Sequence, residues 1–108
     1  MADIGTAIRD LVNAAKELGD AHAAEEAAKK DEAAKRKDTW DKAAKAVMKA
    51  KGKQDTAKAG DAFHEAEALW KKADTELKKA TAKRKAAEDK FQKAAREFND
   101  ALMKLIFP

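Results

Sequence analysis

The sequence contains no cysteine, no serine and no tyrosine, one proline at position 108 and four glycines. Without cysteine there are no disulfides and no thiolate metal ligands. Without serine or cysteine the two commonest side-chain nucleophiles are missing, and no glycine-rich phosphate loop occurs. Because the only proline is the last residue, nothing covalently interrupts a helix between residues 1 and 107. Long apolar runs are absent too, so no segment has the length to span a bilayer. No basic start leads into an apolar stretch, so no cleavable signal peptide is expected. Large apolar side chains are scarce: three Ile, six Leu, two Val, three Met, four Phe and two Trp among 108 residues. That excludes a thick globular core and a sheet protein.

What the chain does contain is alanine and charge. There are 28 Ala, 24 basic and 20 acidic residues, with a net charge of only +4. The two signs are interleaved, and Ala, Lys, Glu, Leu and Arg at this level are the composition of long helices and coiled coils. A chain of this length is read as a single domain, residues 1–108.

The second half repeats every seven residues. Phe63, Trp70, Leu77, Arg84, Phe91, Phe98 and Leu105 form one series, and Ala66, Ala73, Ala80, Ala87, Ala94 and Ala101 follow three residues behind. Large side chains at one core position and Ala at the other make a seam along which an antiparallel partner helix can pack closely. Arg84 is the charged member, expected to snorkel out of the seam. In the first half Ile4, Ile8, Leu11, Ala15 and Leu18 make an apolar stripe, with Asp3 as N-cap, and Trp40, Ala43, Val47 and Ala50 resume the large/Ala alternation. Residues 21–37 offer only Ala as apolar content. Gly19-Asp20 is a candidate break there, although one glycine costs a helix only ~1 kcal/mol.

The strongest turn signal is Lys51-Gly52-Lys53-Gln54-Asp55-Thr56, where Gly52 suits the residue after a helix and Asp55 can cap the next. Gly60-Asp61 is a second candidate. The chain therefore reads as all-α, a long antiparallel helical hairpin with a coiled-coil large/Ala heptad seam. Arm 1 covers about 3–51, the bend about 52–55 and arm 2 about 56–107. Folded about residue 53, partner positions sum to about 106, which leaves a waist of Ala against Ala or Lys stems. So thin a core predicts self-association into a bundle or docking on a larger partner.

Two surfaces stand out. Ile4, Ile8, Leu11, Phe98, Leu102, Leu105, Ile106 and Phe107 gather at the open end, and around the C-terminus apolar residues surround the helix, as in a segment that is covered. Six lysines, Lys42, Lys45, Lys49, Lys51, Lys53 and Lys58, face a single acid, Asp55, and form a basic tip. A second basic stretch, 71–85, lies opposite Glu25, Glu26, Asp31 and Glu32 in this register. Lysine outnumbers arginine by 20 to 4 and no aromatic interleaves the tip, which argues against sequence-reading nucleic-acid recognition. His22 and His64, the two histidines, fall far apart in the register, so neither a metal nor any other cofactor is expected.

Glu76-Leu77-Lys78-Lys79-Ala80 and Lys85-Ala86-Ala87-Glu88-Asp89-Lys90 resemble in composition the helical arms of colicins and the rod of TolA. Length and central bend are similar to the small secreted hairpins of type VII secretion, whose Trp-x-Gly turn is replaced here by Lys51-Gly52-Lys53. Neither resemblance assigns a site residue. The expectation is a non-enzymatic structural or interaction protein, cytoplasmic or part of an assembly such as a virion. It would form a homo-oligomer or join a larger protein assembly through the apolar end, and its basic tip would meet an acidic partner. The alternatives are a nonspecific nucleic-acid-associated protein using the tip and the 71–85 stretch, and a small helical inhibitor or adaptor.

Overall fold

The computed structural model describes residues 3–49 and 53–108, without the side chains of 46, 47, 49, 53–57 and 59. The chain is an all-α hairpin of two long helices, α1 (Ile4–Lys49) and α2 (Lys53–Ile106), and no strand occurs among the described residues. The bend expected at 52–55 begins on Gly52, which with Ala50 and Lys51 lies outside the described residues. Arm 2 starts earlier than expected: α2 already includes Lys53, so Asp55 sits inside the helix and not ahead of it. Lys53 and Gln54 are ordinary helix formers, and nothing in them delays the start to residue 56.

Asp3 caps α1 as its sequence suggests, accepting the Thr6 N–H at 2.7 Å on Oδ1. That hydrogen bond holds the Asp3 carboxyl below its ordinary pKa. At the other terminus Lys104 lies in the last turn of α2, where a cation meets the unsatisfied carbonyls.

Both internal glycine signals are overridden. α1 runs through Gly19-Asp20 and α2 through Gly60-Asp61, neither glycine has a positive φ, and a Cβ at either would meet nothing within 4 Å. Within the helix pair itself, each glycine only loosens its helix. Gly19→Ala and Gly60→Ala should each stabilise the fold by roughly 0.5–1 kcal/mol. Thermal melts followed by circular dichroism check this, and an unchanged or lower Tm would refute it.

The covered positions of α1 step by three and four from Ile4: Ala7, Leu11, Ala14, Leu18, Ala21, Glu25, Ala28, Glu32, Lys35, Thr39 and Lys42, with Ala43 beside the last. This corrects the stripe in two places. Ala7 and Ala14 are buried where Ile8 and Ala15 were expected, and Ile8 is 46% exposed. Thr39 is buried and Trp40 is 71% exposed, although Trp40 was read into the seam. Both shifts have one cause. A seven-residue repeat started at Ile4 reaches 39, and an antiparallel pair places small residues against the large ones of its partner. Thr39 can enter because its hydroxyl donates to the Lys35 carbonyl at 2.9 Å.

On α2 the large/Ala series lies inward. Ala66, Ala73 and Ala94 are buried, and Phe63, Trp70, Leu77, Arg84, Phe91 and Phe98 are half-buried. Leu105 departs from the series at 61% exposed. A further half-buried row, Glu67, Asp74, Thr81, Glu88, Ala95 and Leu102, widens the covered stripe of α2.

The packing divides into two units, Met1–Glu25 with Ala80–Pro108, and Glu26–Lys79. Each pairs a segment of α1 with a segment of α2. Among the described residues the buried apolar set is five alanines, and no large side chain is fully buried.

Candidate interaction surfaces

The first unit holds all eight residues expected at the apolar end. Ile4, Leu11, Phe98 and Leu102 are half-buried between its helices. Ile8, Leu105, Ile106 and Phe107 are exposed, the last three at 61%, 56% and 69%, and Val12 and Met103 add to them. Phe107 is held to the helix end by its N–H, which donates to the Met103 carbonyl at 2.7 Å. The apolar ring round the C-terminus thus has cover on its inner side only.

The same unit has a charged flank. Lys90 Nζ reaches both carboxylate oxygens of Glu17, at 3.1 and 3.0 Å. An open groove of about 300 Å³ runs beside this pair, lined by Asp10, Asn13, Ala14 and Glu17 from α1 and Lys90, Lys93, Ala94 and Glu97 from α2. Its walls alternate in sign, so it offers no concentrated field to a charged ligand. On the other flank His22 Nε2 lies 3.9 Å from Glu88 Oε1, both partly exposed.

Between the flanks sits a polar cluster that the alanine-waist expectation missed. Arg84 does not snorkel out. Its Nε donates to Glu25 Oε2 at 2.9 Å and its Nη1 to Glu88 Oε1 at 2.7 Å. Glu25 is 5% exposed, and the hydrogen bonds from Glu25 and then Glu88 raise the Arg84 pKa above its ordinary value. A guanidinium between two carboxylates satisfies both inside a narrow seam, which an apolar side chain at 25 would not. A signal existed for it: the series Ile4, Leu11, Leu18 carried forward by sevens lands on Glu25, Glu32 and Thr39.

The second unit repeats the theme with an aromatic. Trp70 Nε1 donates to Glu32 Oε1 at 3.0 Å, and Arg36 Nη1 stands 3.8 Å from the same oxygen. Beside them an open groove of about 280 Å³ is lined by Arg36, Thr39, Trp40 and Ala43 of α1 and Phe63, Glu67 and Trp70 of α2. Trp40 stands at its edge, and the Phe63 ring meets the exposed His64 edge-on at 5.6 Å between centroids.

Of the basic tip, Lys45 and Lys58 are exposed, and Lys42 is half-buried with Nζ 3.5 Å from Asp38 Oδ2. Lys51 and the side chains of Lys49 and Lys53 lie outside the described residues. Within the 71–85 stretch three lysines pair with acids on their own helix: Lys71 with Glu67, Lys78 with Asp74 and Lys79 with Glu76. Of the acids expected opposite it, Glu25 meets Arg84, Glu32 meets Trp70 and Arg36, and Glu26 pairs with Lys29 on its own helix.

No group of three or more His, Asp or Glu side chains able to hold a metal occurs among the described residues. Among the described residues no helix is long and apolar enough to cross a membrane. The chain matches no family model, no curated protein and no solved structure.

Proposed function

We propose that the chain is a non-enzymatic structural or interaction protein, a coiled-coil hairpin that acts by associating through the apolar residues of its first unit. One observation carries this reading: among the described residues the buried apolar ones are all alanine, while Leu105, Ile106 and Phe107 stand more than half exposed. Burial of a large side chain contributes ~1.5–3 kcal/mol and an Ala methyl far less. A helix pair so built gains most by covering its large residues with another protein surface.

The molar mass in solution tests it, by sedimentation equilibrium on the full chain and on a chain ending at Ala101. The full chain should exceed the monomer mass of 11.8 kDa, and the shortened chain should approach its own monomer mass while staying helical. A full chain that is monomeric, alone and in the extract of its source, would refute the reading.

The exposure of Lys45 and Lys58 supports a role for the tip toward an acidic partner. If the partner were nucleic acid, binding would weaken steeply with salt and fall on neutralising Lys49, Lys51 and Lys53. The pairing of Lys71, Lys78 and Lys79 with acids on their own helix favours the protein-association reading over that one.

A further inference from the structure

The first unit carries a second pair of stripes beside its seam. On α1 the positions Gly5, Ile8, Val12, Ala15 and Gly19 step by three and four, and all five are exposed. On α2 the positions Gln92, Ala95, Asn99, Leu102 and Ile106 step in the same way, with Ala95 and Leu102 half-buried and the others exposed. One residue further along each stripe stand His22 and Glu88, whose 3.9 Å contact places the two stripes on the same flank. The charged groove of Asp10, Glu17, Lys90 and Glu97 occupies the opposite flank.

None of these ten positions is charged. At the chain's 41% charged composition, ten positions would carry about four charges. Continued past His22 and Glu88, the same stripes become mostly charged, with Glu26 and Lys29 on α1 and Lys85, Thr81 and Lys78 on α2. The charge-free stretch is thus confined to one face of one unit.

We infer that a second copy of this chain packs on this face, with Gly5, Val12, Gly19 and Asn99 at the contact. The inference rests on the self-association reading and specifies its surface and its partner. In a two-fold contact each patch meets its own image, so a charge within it would need an opposite charge within the same patch to pair with. A face without charge is therefore self-complementary, whereas a charged partner would leave matching charges here. Gly5, Ala15, Gly19 and Ala95 let helices approach closely, while Ile8, Val12 and Ile106 supply the exposed area to bury. Four helices then enclose large side chains that two leave open. Ten positions a side is small beside the roughly 20–30 residues of a standard interface.

Sedimentation equilibrium on the full chain and three variants tests the assignment, with helicity followed by circular dichroism. Val12→Lys and Asn99→Lys place a lysine in the face, and each should weaken dimerisation at least ~100-fold, because the covered ammonium finds no carboxylate among the ten positions to pair with. Asn99→Lys replaces one exposed polar residue by another, so it leaves the helix pair's own packing intact. Asn13→Lys, on the charged flank, should dimerise like the parent. If the full chain dimerises and both face variants dimerise equally well, the face is wrongly assigned but the self-association reading stands. Dimerisation lost in Asn13→Lys but retained in the face variants would move the contact to the charged flank and overturn the inference. A full chain that is monomeric when purified overturns the inference, and it sinks the reading as well only if the chain is also monomeric in the extract of its source.

Discussion

Replacing Trp70 by alanine should lower stability by about 3 kcal/mol, the low end for loss of a large aromatic, because the indole is half-buried and not enclosed. The second unit has few other large residues to absorb the loss. Thr39 and Ala43 face the groove from α1, and of the two other rings lining it, Phe63 and Trp40, Trp40 is mostly in solvent. Truncation also removes the N–H that satisfies Glu32, leaving its carboxylate with Arg36 at 3.8 Å. At roughly 4–8 °C per kcal/mol for a small domain, Tm should fall by roughly 10–20 °C. Trp70→Phe separates the two contributions. It keeps most of the ring and loses only the hydrogen bond, so it should cost about 1 kcal/mol. Thermal and urea melts of both variants decide the matter. An alanine variant within about 1 kcal/mol of the parent would mean that Trp70 is not the anchor of the second unit.

The second large effect concerns Glu25 and Arg84, and here the sign depends on how many partners are removed. Arg84→Leu takes the guanidinium away from a carboxylate that is 5% exposed, and Tm should drop on the order of 10 °C. Glu25→Leu should cost less, because Arg84 keeps its 2.7 Å hydrogen bond to Glu88. With both positions leucine the seam becomes apolar at that level, and stability should return to the parent's or exceed it. A desolvated ion pair is often no better than well-packed hydrophobic residues of similar size. The double-mutant cycle is the measurement, and strictly additive singles would show that the contact carries no coupling. What the pair supplies is alignment. A slip by one heptad toward Leu18 would leave Arg84 without a carboxylate in the seam, the register-fixing role polar residues play at core positions of coiled coils. The leucine pair should therefore populate more than one register, detectable as doubled amide resonances in the first unit.

Both effects sit where the seam is polar, and that is where sequence reading fell short. The heptad series of α2 is visible in the sequence because six of its seven large members are apolar, and their periodicity needs no partner to be recognised. In α1 the same period continues through Glu25, Glu32 and Thr39, which composition assigns to the surface. Carrying the period forward from Ile4 would have found them. Choosing between Ala7 and Ile8, or Thr39 and Trp40, was beyond that, because each pair is adjacent and the more apolar member faces out. Only the presence of the large residues of α2 makes the smaller neighbour the better fit.

The interaction residues divide in the same way. That Leu105, Ile106 and Phe107 exceed what one partner helix can cover follows from their all-round placement in the sequence. That Ile4 and Leu11 lie inward while Ile8 and Val12 lie outward, on a face without charge, needs the packed pair.

By itself the sequence determined that the chain is helical, that it returns antiparallel on itself and that its core would be thin. Alanine, interleaved charge and a seven-residue period fix these locally, residue by residue along one helix. The tertiary structure decided which of two neighbouring residues is covered, that a glutamate–arginine–glutamate cluster occupies the seam, and which flank is left uncharged. Those depend on the rotation of each helix about its axis. That rotation is set only when the side chains of two helices compete for the same narrow space.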